Sequence, residues 1–133
     1  MAVKKVFIDT NIFINYLRGA DKELVELFRF QLEGKIKLLT SSAVIFEIYS
    51  GQSLIEKKIE EKIDKLFTRI AVEDITQEIA KLAAEINRKN KLYKKVETND
   101  LLIAASAIYF KAELLTKNRK HFKLIPDLKL FEF

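Results

Sequence analysis

Cysteine is absent from this chain of 133 residues, which also has one histidine, three glycines and one proline. Without cysteine there is no disulfide framework, no thiolate nucleophile and no Cys-based zinc site. A lone histidine, His121, removes His-rich metal sites as well. Any metal must then be held by carboxylates, which favour hard cations such as Mg²⁺ or Mn²⁺. No apolar run approaches the roughly 18 residues of a membrane-spanning helix. The opening "MAVKKVFID" shows no long apolar core and no small-residue cleavage site, so no signal peptide is expected. These absences lead to the expectation of a cytoplasmic protein that does not enter a membrane. No Pro/Gly/Ser linker, internal repeat or low-complexity tract divides the chain, so one domain over residues 1–133 is expected.

What the chain does have is 49% hydrophobic residues, ample for one core without a staple, and a net charge of +5. That excess permits a polyanionic partner. The apolar pattern alternates between strands and helices. "VKKVFI" is β-rich, and "TNIFINYL" places Ile12, Phe13 and Tyr16 at helical spacing before Gly19. "DKELVELFRFQLEGK" predicts a helix with Leu24, Leu27, Phe28 and Leu32 on one face, Asp21 as N-cap and Gly34 at its end. "IKLLT" is a strand, and "SSAVIFEIYSG" a helix capped by Ser41 or Ser42. Leu54 to Phe67 predicts an amphipathic helix with Ile55, Ile59, Ile63 and Leu66 on one side. "RIAVE" is a strand, "TQEIAKLAAEINRK" a helix and "RKNKLYKK" a basic loop. "TNDLLIAASAIYF" is a helix apolar nearly all round, hence central. "AELLT" is a strand, "KNRKHF" a short turn or helix, and "LKLFEF" a terminal strand. The alternation predicts an α/β fold with a mostly parallel sheet covered by helices on both faces. In such sheets ligands bind beyond the carboxyl ends of the strands, where Asp9, Thr116 and Asn118 fall.

Most acids lie on charged helix faces. Three do not: Asp9 directly follows "VFI", Glu47 sits in "AVIFEIY", and Asp100 opens the all-apolar helix. Each has an ordinary explanation. Asp9 can cap the next helix, Asp100 can cap or favour a helix dipole, and Glu47 can face solvent. Yet the helical face of Glu47 carries Ala43, Val44, Ser50 and Gly51 rather than other charges. Two carboxylates at about 4 Å repel by roughly 4 kcal/mol at an effective dielectric near 20. Several buried together call for a cation between them, and a divalent ion there would also activate a water and stabilise charge on a phosphate.

In "FIDTNIFI", "SSAVIFEIYSG", "TNDLLIAASAI" and "LLTKNRKHFKLI" the chain resembles the PIN-domain family, and within it the VapC toxins of VapBC toxin–antitoxin pairs. Each motif alone is weak; the four in order cover nearly the whole chain. The resemblance implies an α/β/α sandwich and a Mg²⁺-dependent endoribonuclease, with Mn²⁺ as the alternative ion, cutting RNA by in-line attack of water. Asp9, Glu47 and Asp100 match the family's acidic metal positions, and Thr10 and Asn11 the small polar residues that support them. A fourth polar position, often Asp, falls on Asn118, with Thr116 beside it. A neutral Asn carries no charge to hold a second metal, so the number of ions stays open. The resemblance also implies a homodimer and a VapB-type antitoxin that shields the site.

An acidic site repels RNA, so cations at its rim must attract it. Candidates are Arg88, Lys89, Lys91, Lys94 and Lys95 before Asp100, and Lys117, Arg119 and Lys120 after the last strand. Such runs are usually a solvated face. Tyr93 can stack a base or merely pack, and His121 can act as a base or pack beside Phe122. The apolar faces of Leu24 to Leu32 and Ile55 to Leu66 are candidate dimer and antitoxin surfaces. Two rivals remain. A phosphatase would want a second Asp two residues after the first, where Asn11 stands, and a non-catalytic PIN-like binding module would have no use for three mutually repelling acids.

Overall fold

The structure, a computed structural model, describes residues 3–19, 22–51 and 57–133. Its sheet is built from β1 (Lys4–Ile8), β2 (Ile36–Ser41), β3 (Ala71–Glu73) and β4 (Glu113–Leu115). The order is β3-β2-β1-β4, and every pairing is parallel. Val6, Phe7 and Ile8 are each 0% exposed. Successive strand side chains point to opposite faces, so an unbroken buried run requires cover on both. The cover comes from α1 (Thr10–Leu17), α2 (Glu23–Leu32), α3 (Ser42–Tyr49), α4 (Lys57–Phe67), α5 (Gln77–Asn90), α6 (Thr98–Tyr109) and the short α7 (Arg119–Phe122). This is the parallel α/β architecture that the sequence predicts.

The connections place the chemistry. From β1 the chain proceeds to β2 on one side, while β4 pairs with β1 on the other. The gap between β1 and β4 is therefore the point where strand order reverses, where open α/β sheets form their ligand crevice. Asp9 leaves β1 and Thr116 leaves β4 at that gap, and the Asp9 amide donates to the Leu115 carbonyl at 3.0 Å. Beneath it, the Thr40 hydroxyl at the end of β2 donates to the Ile8 carbonyl at 2.8 Å.

Four expectations need correcting. Leu32 does not face the core; it is 90% exposed. It is the last residue of α2, and Gly34, at φ +75°, turns the chain away there, so its side chain clears the body that Leu24, Leu27 and Phe28 pack on. The apolar faces of α2 and α4 are not free surfaces either. Leu24, Leu27, Ile63 and Leu66 are buried in the chain's own core, and Phe67 meets Phe13 with ring centroids 5.0 Å apart. Arg88 and Lys89 belong to the last turn of α5 rather than to a loop. "LKLFEF" forms no strand but a single bridge of Leu130 to Leu114, because β4 is only three residues long and offers one rung on that side. The expected N-cap Asp21 and the inner positions Leu54 and Ile55 lie outside the described residues. No helix among the described residues is long and apolar enough to cross a membrane.

The burial map separates two leucines of one helix. Leu27→Ala should lower stability by about 3 kcal/mol through the cavity it leaves, whereas Leu32→Ser should change it by less than about 0.5 kcal/mol. Urea unfolding of the two variants measures both.

Candidate active site

Asp9 is the N-cap residue of α1, in extended conformation, and is only 4% exposed. A capping carboxylate ordinarily accepts from the second or third helical amide. Here Oδ1 accepts instead from the first, Thr10 N–H, at 2.8 Å. Oδ2 accepts from the Thr116 hydroxyl at 2.7 Å. The side chain is thus fixed between two strand ends, with one lone pair on each oxygen left over. Burial pushes the Asp9 carboxyl above its usual range; the bonds from Thr116 and Thr10 pull it back, and the Glu47 charge adds to the rise.

Glu47 reaches the same place from α3. Ser41 caps that helix, its Oγ accepting from Ala43 N–H at 3.0 Å. Helical side chains lean toward the N-terminus, so Glu47 projects back toward the sheet edge. Its Oε1 accepts from the Thr10 hydroxyl at 2.9 Å. Thr10 therefore serves two acids at once, Asp9 by its amide and Glu47 by its hydroxyl. A second donor to Oε1 is the side-chain amide of Asn99, which also lies 3.4 Å from the Ala43 carbonyl. Sequence reasoning missed Asn99. The signal was present: it shares the first turn of α6 with Asp100, and first-turn side chains converge on one end of a helix.

Asp100 lies in that first turn, behind Glu97 at the N-cap, whose side chain makes no cap bond. The dipole of α6 favours an acid there, but other effects win. Burial first, then the charges of Asp9, Glu47 and Glu97, push its carboxyl up to about 6, against a partial pull from His121. Asp100 thus feels both Asp9 and Glu47, and Asp9 feels Glu47. Among the described residues no Lys or Arg pairs with any of them.

The segment after β4 is stapled to the segment after β1. The Lys117 amide donates to Asn11 Oδ1 at 3.2 Å, and the Asn118 amide to the Thr116 hydroxyl oxygen at 3.0 Å. Thr116 thus accepts from Asn118 and donates to Asp9. The Asn118 side chain turns to His121, Nδ2 lying 2.9 Å from Nδ1. It bonds to none of the acids.

The rim cations divide into two groups. Lys117 pairs with Glu23 at 2.8 Å, Arg119 with Glu132 at 3.0 Å, and Lys89 with Glu85 at 2.6 Å. Arg88 also acts on Glu85, whereas Lys91, Lys94, Lys95 and Lys120 are exposed and have no ion pair among the described residues. Beside Glu47, an apolar groove of about 260 Å³ opens between α1, α3 and α4. Leu17, Ile48 and Ile63 line it, and the exposed Arg18, Lys58 and Lys62 stand along it.

An all-oxygen donor set suits a hard divalent cation, and the raised carboxyls of Asp9 and Asp100 suit a missing positive charge. Among the described residues no three acidic or histidine side chains converge tightly enough to form a ready-made cage. Mg²⁺ does not require one: it binds through one or two carboxylates and keeps several of its waters. The residues present fit such an ion.

The raised Asp100 carboxyl makes the site costly to the fold. A carboxyl whose pKa is raised by folding stabilises the folded state when protonated. That contribution is full below the ordinary value of 3.8 and is lost as pH rises through about 6. In metal-free protein Asp100→Asn should therefore exceed wild type in stability at pH 8 by about 1 kcal/mol, solvent screening having reduced the effect of a partly exposed group. The gain should vanish below about pH 4. Urea unfolding at several pH values reads it directly.

Comparisons with known proteins bear on the family and the fold. The PIN-domain family profile matches residues 6–128. Ribonuclease VapC19 of Mycobacterium tuberculosis is 30% identical over 123 residues, covering 92% of this chain and 95% of that protein. Ribonuclease VapC2 of Rickettsia felis is 35% identical over 96 residues, 68% of this chain and 69% of that one. Among solved structures, the crystal structure of VapBC2 from Rickettsia felis bound to a DNA fragment from its promoter superposes with a TM-score of 0.82. It is 28% identical and covers 97% of this chain and 98% of that one. The chain belongs to the PIN-domain family, on its VapC branch.

Proposed function

We propose that the chain is the toxin of a type II toxin–antitoxin pair, an endoribonuclease that hydrolyses RNA phosphodiester bonds with Mg²⁺, or Mn²⁺ in its place. The observation that carries the reading is that Thr10 bonds both Asp9 and Glu47 at the strand-order reversal, that Asn99 ties Glu47 to the first turn of α6 with Asp100, and that no Lys or Arg of the described residues pairs with any of the three. The family membership and the ribonuclease names of the relatives support it.

Asp9, Glu47 and Asp100 would hold the ion. When bound, it supplies charge neutralisation, a water of lowered pKa, and stabilisation of the charge that builds on a phosphate. The chain's own residues set the stage. Thr10 and Thr116 fix Asp9 between two strand ends, so the central acid needs little reorganisation when substrate arrives. Thr10 and Asn99 hold Glu47 through one oxygen. The Asn118–His121 pair stands beside Thr116, and the His121 imidazole works against the rise of the Asp100 carboxyl. A scaffold that only binds gains nothing from this mutual repulsion.

The partners of this reading are RNA, a VapB-type antitoxin and a second copy of the chain. The VapBC complex among the similar structures and the groove beside Glu47 support the antitoxin. Phe46 and Tyr49 of α3, both exposed, support self-association.

Two readouts test the proposal. Asp9→Asn should remain folded by circular dichroism yet lose cleavage of RNA by at least about a hundredfold, the scale of losing a charge-stabilising group. Saturating Mn²⁺ should raise the wild-type melting temperature by roughly 5–10 °C and leave that of Asp9→Asn unmoved. Equal cleavage by the two proteins, or equal melting shifts, would refute the assignment.

A further inference from the structure

The seven residues 91–97 that join α5 to α6 have a form that packing alone does not require. Leu92 and Val96 are buried and anchor the connection to the core. Lys95 and Val96 both donate backbone N–H bonds to the Leu92 carbonyl, at 2.9 and 3.1 Å, and Leu92 N–H donates to Asn87 O at 3.1 Å. Around the anchors Lys91, Tyr93, Lys94 and Lys95 are all exposed, Tyr93 with 67% of its surface. Its ring meets no other aromatic ring among the described residues.

Two of these lysines stand in left-handed backbone, Lys91 at φ +52° and Lys94 at φ +65°. Lys91 is the C-cap of α5, a helix-ending conformation in which glycine or asparagine is usual. A lysine in this region costs about 1 kcal/mol or more relative to glycine. A turn that merely reversed the chain would be more stable with Gly or Asn at both positions. None of Lys91, Lys94 and Lys95 recovers the cost through an ion pair among the described residues. On the other side of the site, by contrast, Lys117 and Arg119 are both bound to acids.

The placement is as specific as the composition. The helices α5 and α6 pack against each other and are joined by this short turn, so it lies at the end of the pair where α6 begins. That end carries Asn99 and Asp100. Three cations without an ion pair among the described residues, around one outward aromatic ring, therefore stand at the end of the helix pair that carries Asp100. Cations that follow a backbone, with a ring on which a base can stack, are the recognition chemistry of single-stranded nucleic acid.

We infer that the α5–α6 turn is the substrate arm of the site: Lys91, Lys94 and Lys95 take phosphates of a single-stranded RNA and Tyr93 stacks one of its bases, next to the bond presented to the acids. The inference rests on the ribonuclease reading and adds to it the form of the substrate and the residues that grip it. A duplex, whose bases are stacked on one another, offers Tyr93 nothing.

The test measures binding apart from cutting. Metal-free protein is titrated into a labelled 12-nucleotide single strand and into a duplex of the same length, by fluorescence anisotropy over a range of salt. Wild type should prefer the single strand. The variant Lys91→Asn/Lys94→Asn/Lys95→Gln removes three charges and relaxes the two left-handed positions. It should melt no lower than wild type, bind more weakly, and show a salt slope of log K shallower by roughly 2, three contacts at about 0.7 each. Tyr93→Ala should weaken binding by at least about fivefold with the slope unchanged, and Tyr93→Phe should bind like wild type. An unchanged slope in the lysine variant, a Tyr93→Phe loss equal to that of Tyr93→Ala, or a duplex bound as tightly as the strand would overturn the inference. Cleavage assays of the same proteins with Mn²⁺ separate the two ideas. Cutting with unchanged salt slopes refutes the arm alone, and gripping through the arm without cutting refutes the nuclease alone.

Discussion

The interaction on which this molecule depends is the pair of hydrogen bonds that pins the buried Asp9 carboxylate between the Thr10 amide and the Thr116 hydroxyl. An unpaired carboxylate at that depth would be expelled or neutralised. Those two bonds keep it in place and join the ends of β1 and β4 across the one gap in the sheet where strand order reverses. The other contacts extend the same clamp. Thr10 carries it to Glu47, Asn99 carries it from Glu47 to the first turn of α6, and Asn11 and Asn118 carry it into the segment after β4. Elements far apart in sequence are held to one point by neutral donors, and the acids remain uncompensated.

That arrangement separates geometry from charge. A salt bridge would have fixed Asp9 equally well, but would have filled the site with a cation of the chain's own. Threonine and asparagine orient carboxylates without neutralising them. The consequence is visible at Asp100, which has the dipole of α6 behind it and is still pushed up to about 6 by burial and by its neighbours. The fold bears this cost because its core is continuous beneath the site: Val6, Phe7 and Ile8 lead directly to Asp9 and are fully buried. Strain of this kind marks functional positions, where local rules are broken and compensated elsewhere.

How far the sequence was legible follows from the same logic. The strands, the helices and the three acids could be read because each departs from a periodic pattern: an acid after an apolar strand, an acid on a small-residue helical face, an acid opening an apolar helix. Residues whose role depends on a partner were harder. Asn99 is unremarkable as a letter, and becomes a site residue only once α3 lies beside α6. Leu32 fits its helical stripe and is exposed because α2 ends under it, which periodicity cannot register. "LKLFEF" alternates like a strand, yet its pairing is limited by a neighbour three residues long. The two basic runs look equivalent in the sequence and differ in the fold, where Lys117 and Arg119 pair with acids and Lys91, Lys94 and Lys95 do not.

Asn118 shows why the fourth position need not be acidic here. Its amide donates to Thr116, the residue that holds Asp9, and its side chain faces His121. A carboxylate at this place would add a fourth negative charge to a site already raising the proton affinity of Asp9 and Asp100. Asparagine keeps the backbone staple, gives His121 a neutral partner and leaves three charges at the crevice. One divalent ion in that crevice would offset most of three negative charges.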